Sequence, residues 1–124
     1  MLQVIAIAGG GAVGALLRFW VSNSVYQWAG RGFPWGTLAV NLIGSFLMGL
    51  LFVLMMDRWL VASEWRAALL VGLLGAFTTF STFSIETLML IEQADYLKAL
   101  LNVLLSVSVC VLACWAGLVL GRQL

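Results

Sequence analysis

The sequence predicts an all-α integral membrane protein with four transmembrane helices, the third of which is broken near the middle of the bilayer. Of its 124 residues, 64% are hydrophobic and only 9% are charged, and the mean hydropathy is +1.12. A soluble domain carries roughly a quarter charged residues because its surface faces water. Most of this surface must therefore face lipid. Four apolar stretches, and a hydroxyl-rich run within the third of them, complete the prediction.

Charge and cysteine content exclude several functional classes. The six Lys and Arg residues are scattered and the net charge is +1, which argues against a nucleic-acid partner. The chain has no His, the commonest general base and metal ligand. Cys110 and Cys114 lack the spacing of a paired-cysteine metal site and are interpreted as small packing residues. No phosphate-binding loop is present, so neither an enzyme nor an ATP-driven pump is predicted.

The first apolar stretch covers residues 2–21 and is interpreted as a permanent span. No Lys or Arg precedes it, Arg18 falls late within it, and no small-residue cleavage site follows, so a secretory signal is not favoured. Its glycines predict close contact with a neighbouring helix. These are Gly9, Gly10, Gly11 and Gly14.

The other apolar stretches cover residues 37–56, 67–91 and 99–120, which gives a single transmembrane domain over 1–124. Each is long enough for a hydrocarbon core about 30 Å thick, which needs roughly 20 apolar residues. Nearly every charge falls in the connectors, and the exceptions are Arg18 and Glu86. Five tryptophans lie at or near predicted helix ends, as in an interfacial aromatic belt. They are Trp20, Trp28, Trp35, Trp59 and Trp65.

The basic residues give almost no preference for one orientation. Four spans place both termini and the 57–66 connector on one side of the bilayer, with three arginines. The other side has Arg31 and Lys98, joined by Arg18 if its side chain reaches outward. Either the tie is accidental in a chain with few charges, or the chain inserts both ways and forms an antiparallel pair. Four helices are also too few to enclose a wide aqueous path, which favours a dimer.

The third stretch carries the densest polar run, Thr78-Thr79-Phe80-Ser81-Thr82-Phe83-Ser84. Polar groups at mid-membrane are costly unless they find partners or line a cavity. Gly72 and Gly75 precede the run and weaken the helix. We therefore expect an interrupted helix whose freed carbonyls and N–H groups face an ion or protein. The alternative is an unbroken helix with its hydroxyls bonded back to carbonyls and its rings facing lipid.

Helical spacing adds a possible ion pathway. Phe80 and Phe83 share a face with Glu86, and the positive edges of aromatic rings can favour an anion. Asn41 stands alone in the second span, while Asn102, Ser106 and Cys110 form one track on the fourth. Each alone could join two helices. Together with the third helix they could form the wall of a narrow, partly wet path.

These motifs closely resemble those of the Fluc (CrcB) family of microbial fluoride channels. The resemblance extends over the whole chain, from the glycine-rich first helix ending in Arg18, through the Gly36-Thr37-Leu38-Ala39-Val40-Asn41-Leu42 stretch, to the hydroxyl run followed by Glu86. It implies an antiparallel dual-topology homodimer in the bacterial inner membrane, with two pores. Fluoride would leave the cytoplasm through them passively.

The resemblance also implies roles for single residues. The ring edges of Phe80 and Phe83 would contact fluoride, and Asn41 would line the pore. Backbone carbonyls of Gly75 and Thr78 from both copies would hold a central sodium ion (Na+) with four ligands. Ser81 and Thr82 match the family's hydroxyl contributors, Asn102 and Ser106 its polar track, and Arg18 and Glu86 two further family positions. Cys110 stands where a hydroxyl is usual.

Two other functions remain as alternatives. The first is a small dual-topology exporter of organic cations, which would need a membrane-embedded carboxylate in the first helix; this sequence has none there. The second is a non-transporting assembly protein, which would not explain the density of hydroxyls and aromatic rings at mid-depth.

Overall fold

The computed structural model describes residues 1–124 and contains helices and no strand. Helix α1 is Leu2–Ala29, and α2 is Trp35–Arg58, with π-helical turns over Leu54–Arg58. The third span, Ser63–Glu92, divides into α3, residues 63–77, and α4, Phe80–Glu92. Helix α5 is Tyr96–Gln123. All four spans are long and apolar enough to cross a bilayer, so the chain is a multi-pass membrane protein and the predicted fold class is confirmed.

Helix α1 continues eight residues beyond the predicted end at residue 21. Polar residues after Val21 lower the hydropathy, but they do not break the helix, since the Ser22 hydroxyl donates to the Arg18 carbonyl at 2.6 Å. The helix ends at Gly30, whose φ of 80° favours glycine. Trp20 therefore lies inside α1, and its prediction as a residue near a helix end is wrong.

The remaining spans extend beyond residues 37–56, 67–91 and 99–120 at both ends. The connector between the second and third spans lies beside the C-terminus, because the Arg58 guanidinium donates to the carbonyl of Arg122. This contact agrees with the predicted topology, in which that connector and the C-terminus share one side.

Helices α1 and α3 run parallel and pack through glycines. A methyl group at Gly10 would collide with the carbonyl of Ala68, and one at Gly14 with the carbonyl of Leu73. Gly72 of α3 in turn faces α1, since a Cβ there would lie 2.7 Å from the Ile7 carbonyl oxygen. The predicted close packing is confirmed for Gly10 and Gly14. Gly9 has open space beside it.

Helices α2 and α5 make the second close contact, also in parallel. A Cβ at Gly49 would collide with the carbonyl of Cys114, and one at Gly117 with the carbonyl of Phe46. Small residues of this kind let helix backbones touch in lipid. The two contacts fix α3 against α1 and α5 against α2.

The predicted break in the third span is confirmed at Thr78 and Thr79. Both residues are extended, with φ and ψ of −84° and 158° at Thr78 and of −150° and 117° at Thr79. The two glycines themselves remain helical, and the break lies after them. Gly72 lies inside a helical turn and packs on α1, and Gly75 has helical angles of −61° and −37°.

Candidate functional site

The break is held open by the side chain of Asn41. Its Nδ2 donates to the carbonyl of Thr79 at 3.0 Å, and its Oδ1 accepts from the Thr79 N–H at 2.7 Å. The amide thus satisfies both backbone groups of a buried residue that has left the helix. Asn41 can do so because Gly44, one turn later, lets α2 approach Thr78 and Phe77 closely.

Thr79 caps the helix that follows the break. Its hydroxyl oxygen accepts from the Thr82 N–H at 3.1 Å and donates to the Thr82 hydroxyl at 3.0 Å. The Ser81 hydroxyl lies 3.4 Å away. A threonine whose oxygen receives an N–H of the first turn is a favoured N-cap. Thr79 was not singled out from the sequence as a site residue. A threonine directly before the first residue of a helix is nevertheless a recognisable N-cap signal.

These two caps release the carbonyls of Gly75 and Thr78. In an uninterrupted helix the Thr79 N–H would bond Gly75 and the Thr82 N–H would bond Thr78. Both N–H groups donate elsewhere. Carbonyl oxygens are suitable ligands for a hard cation. The Gly75 oxygen fits such an ion, whereas the Thr78 oxygen would have to be shared with the Arg18 guanidinium, which lies 3.5 Å away.

Arg18 points toward the break and does not reach outward. Its Nη1 lies 3.5 Å from the carbonyl oxygen of Thr78. The condition for counting Arg18 at one membrane surface is therefore not met, and the positive charges count three against two. A guanidinium held at this depth is expensive without an acceptor, which the Thr78 carbonyl provides.

A groove of about 390 Å³ runs along α2, the break and α5. Four of the predicted pathway residues line it: Asn41, Phe80, Phe83 and Ser106. Cys110 lines it too, whereas Ser81, Thr82 and Asn102 are not part of its wall. None of the lining side chains carries a charge. Besides two valines and a glycine, the groove wall offers aromatic, hydroxyl, amide and sulfur groups.

The two aromatic rings of the groove form a contacting pair. The centroids of Phe80 and Phe83 are 5.4 Å apart and their planes are tilted by 47°. Phe83 is buried, whereas Phe80 is 78% exposed. Ser81 and Thr82 are exposed beside it. The groove thus lacks a wall on the side of Phe80.

The polar track of α5 is a hydrogen-bonded chain behind this groove. The Ser106 hydroxyl donates to Asn102 Oδ1 at 3.4 Å, and Asn102 Nδ2 donates to the Thr87 hydroxyl at 2.8 Å. Asn102 is only 1% exposed. It joins α5 to α4, while Ser106 stands at the groove itself.

Glu86 belongs to a separate rim cluster, which we define as Tyr26, Thr37 and Glu86. The Tyr26 hydroxyl donates to Glu86 Oε2 at 2.5 Å, and the Thr37 hydroxyl donates to Oε1. The Arg31 guanidinium carbon lies 4.6 Å from the Tyr26 ring centroid. Tyr26, Arg31 and Glu86 line a second cavity of about 440 Å³.

Sequence reasoning gave Tyr26 and Thr37 no part in the site. Tyr26 lies 60 residues before Glu86 and beyond the predicted end of the first span. No linear spacing connects the two, because the cluster depends on α1 continuing to residue 29.

The alternative expectation, hydroxyls bonded back to the helix, is correct for some residues of the run. The Thr78 hydroxyl donates to the Leu74 carbonyl at 3.0 Å, and Ser84 to the Phe80 carbonyl at 2.9 Å. Thr79 and Thr82 instead bond each other across the start of α4. The run is therefore divided between ordinary helix bonding and the cap of the break.

Comparison with known proteins finds a family match and many similar sequences. The family model of CrcB-like protein, Camphor Resistance (CrcB), matches residues 5–118. A protein of Magnetococcus marinus named fluoride-specific ion channel FluC is 57% identical over 121 residues, covering 98% of both chains. A Geobacter sulfurreducens protein of the same name is 50% identical over the full length of both.

A third relative is longer than this chain. The Methylococcus capsulatus protein, also named fluoride-specific ion channel FluC, is 63% identical over 123 residues. The match covers 99% of this chain but 54% of that protein. This chain therefore spans about half the length of that relative and nearly the whole length of the other two.

Proposed function

Because this chain belongs to the CrcB family, we propose that it is a fluoride-selective ion channel through which cytoplasmic fluoride leaves passively across the bacterial inner membrane. The names of its relatives support fluoride as the ion. The observation that carries the proposal is the uncharged groove beside the break, where ring edges and neutral hydrogen-bond donors meet. Passage of an ion requires no covalent step, so the protein is not an enzyme.

A small dehydrated anion needs donors that replace its water. The edges of Phe80 and Phe83 carry partial positive charge. Asn41 uses one N–H for Thr79, and its amide has a second, which is available to the anion. The Ser106 hydroxyl also lines the groove, and it can donate to the anion when it turns away from Asn102 Oδ1. These groups favour an anion without a fixed cation that would retain it.

The exposed side of the groove supports an antiparallel homodimer with two pores. Phe80 is 78% exposed, and Ser81 and Thr82 beside it are exposed as well. A second copy on this side would add the missing wall, and two-fold symmetry would then give one pathway for each groove. Insertion in both orientations is supported by the near-equal positive charge of the two sides. One side has Arg58, Arg66 and Arg122, and the other Arg31 and Lys98.

A structural sodium ion at the dimer interface is part of the same proposal. The carbonyls of Gly75 and Thr78 are released by the caps of the break. Two such carbonyls from each copy would make four oxygen ligands. A bound cation would offset their partial negative charge and stabilise the contact between the two broken helices.

Fluoride efflux from liposomes tests the pathway. Purified protein is reconstituted with internal fluoride, and an electrode follows release. Phe80→Ile and Asn41→Asp should each slow the flux by roughly tenfold, which corresponds to about 1.4 kcal/mol of lost stabilisation of the ion. Phe52→Ile is the matched control, because Phe52 is exposed on α2 outside the groove.

Three outcomes separate the candidate functions. Unchanged fluoride flux in both variants would remove the assigned pathway. Organic-cation transport without fluoride flux would favour the exporter, and the absence of both would favour an assembly role.

A further inference from the structure

We propose that Cys110, Cys114 and Met48 form a binding site for a soft monovalent metal ion, Cu+ or Ag+, within the groove. All three sulfur side chains line the same groove. The site itself is independent of the proposed transport function. Its consequence for fluoride flux rests on that function.

The parallel contact of α2 and α5 brings the three residues together. Cys110 and Cys114 are four residues apart and therefore lie on one face of α5. Cys110 of α5 and Ser45 of α2 line the same groove. One turn further, the backbone of Gly49 lies against the carbonyl of Cys114. Met48 lines the same groove from α2 and also packs against the buried cluster of Met55, Leu70 and Leu74.

The two thiols are free and partly accessible. Neither cysteine forms a disulfide, and both are of intermediate burial. Met48 is also of intermediate burial. An ion that enters the groove can therefore reach all three sulfur atoms.

The chemistry of these donors selects the ion. Thiolate and thioether sulfur prefer Cu+ and similar soft ions, whereas oxygen ligands suit hard cations. The groove has no carboxylate, and the chain has no His, so a hard divalent ion or a site of mixed nitrogen and oxygen ligands is not favoured. Each thiol releases its proton to water as the sulfur–metal bond forms, and the metal keeps its oxidation state.

A bound metal would obstruct the proposed anion pathway. The sulfur residues share the groove with Phe83, Asn41 and Ser106. A metal ion bound to these sulfur atoms would fill space that fluoride has to cross. It would also bind the thiol of Cys110, which belongs to the polar track of α5. Flux should therefore fall when the site is occupied.

Copper retention against a chelator tests the site directly. The purified full chain is given Cu+ with ascorbate, and bicinchoninate competes for the metal. The wild type should retain one copper ion per chain. Cys110→Ser and Cys114→Ser should each weaken retention by about 100-fold, since even an outer partner of a metal ligand is worth 10–100-fold in affinity.

Controls separate a shared site from ordinary thiol reactivity. Met48→Leu should weaken retention less than either cysteine variant. Met89→Leu should leave it unchanged, since Met89 lies late in α4 and does not line the groove. Equal retention in the wild type and both single cysteine variants would overturn the proposal, as would complete loss of copper from the wild type.

Silver in chloride-free nitrate medium gives the second measurement. Ag+ should inhibit fluoride efflux through the wild type and fail to inhibit the Cys110→Ser Cys114→Ser double variant. Copper retention without any fluoride flux would reject the proposed function and keep the metal site. Fluoride flux without copper retention would reject the metal site and keep the proposed function.

Discussion

The two halves of the third span are held in the membrane by different forces. Helix α3 packs against α1 backbone to backbone, with Gly72 facing the Ile7 carbonyl. The only hydrogen bond from one of its side chains joins Arg66 to the sulfur of Met56, at 3.5 Å. Helix α4 is instead attached by directed polar contacts. They are Asn41 to Thr79 at its start, Glu86 to Tyr26 and Thr37, and Thr87 to Asn102.

This difference bears on how α4 borders the groove. Packing through small residues removes the space between two backbones where they touch, as at Gly10 and Gly14, although a cavity of about 460 Å³ remains along α1 and α3. A hydrogen bond fixes one point and leaves room beside it. The break lets the chain change from the first kind of attachment to the second, so that α4 can border a cavity without falling away from the bundle.

The largest loss of stability is expected from removal of the polar contact that supports the break. Asn41→Leu would leave the buried N–H and carbonyl of Thr79 without partners, at a cost of about 1–3 kcal/mol for each group. The melting temperature in detergent, followed by tryptophan fluorescence, should fall strongly. Asn23→Leu is the control, because Asn23 only accepts a long bond from Arg31 at 3.4 Å. Similar melting of the two variants would contradict the assigned support.

A smaller loss of stability is expected from a substitution in α3, the half of the third span that is held by close packing. Gly72→Ala places a methyl group against the α1 backbone and should destabilise the protein by about 1–3 kcal/mol. Gly9→Ala has open space and should instead stabilise α1 by up to about 1 kcal/mol through helix propensity. Denaturant unfolding of the two alanine variants measures the contrast. If Gly72→Ala were as stable as Gly9→Ala, close packing would not be what holds α3.

The smallest effect is expected at the rim cluster. Tyr26→Phe removes one donor from the Glu86 carboxylate and should cost about 1 kcal/mol, because Thr37 and nearby water can still serve it. Tyr96→Phe is the matched control, since Tyr96 is 65% exposed. Equal melting temperatures of the two variants would show that the rim cluster adds nothing to the attachment of α4.

Much of the fold could be predicted from the sequence because a helix that spans the bilayer needs about 20 consecutive apolar residues. The apolar runs gave four spans, and the hydroxyl run gave the break. The end of α1 was missed because Tyr26 gains its partners only after folding. Gly72 was assigned to the break because glycine lowers helix propensity wherever it stands, and only the neighbouring helix reveals that it serves packing.

The residues of the groove could be predicted from the sequence only in part. Residues that share a helix face, such as Phe80 and Phe83, could be grouped by spacing. The roles of Asn41 and Thr79 as mutual partners join residues 38 positions apart, and no periodicity encodes that distance. Ser81, Thr82 and Asn102 had the expected residue types but do not line the groove; Thr82 bonds Thr79 and Asn102 bonds Thr87 instead.

The contact between Arg18 and the Thr78 carbonyl has a consequence for biogenesis. In a newly inserted chain, bare carbonyl oxygens in hydrocarbon would favour retreat of the interrupted span from the bilayer or misfolding. The guanidinium neutralises one of them from within the same polypeptide. A single chain therefore satisfies part of its own interruption as soon as its first and third spans meet.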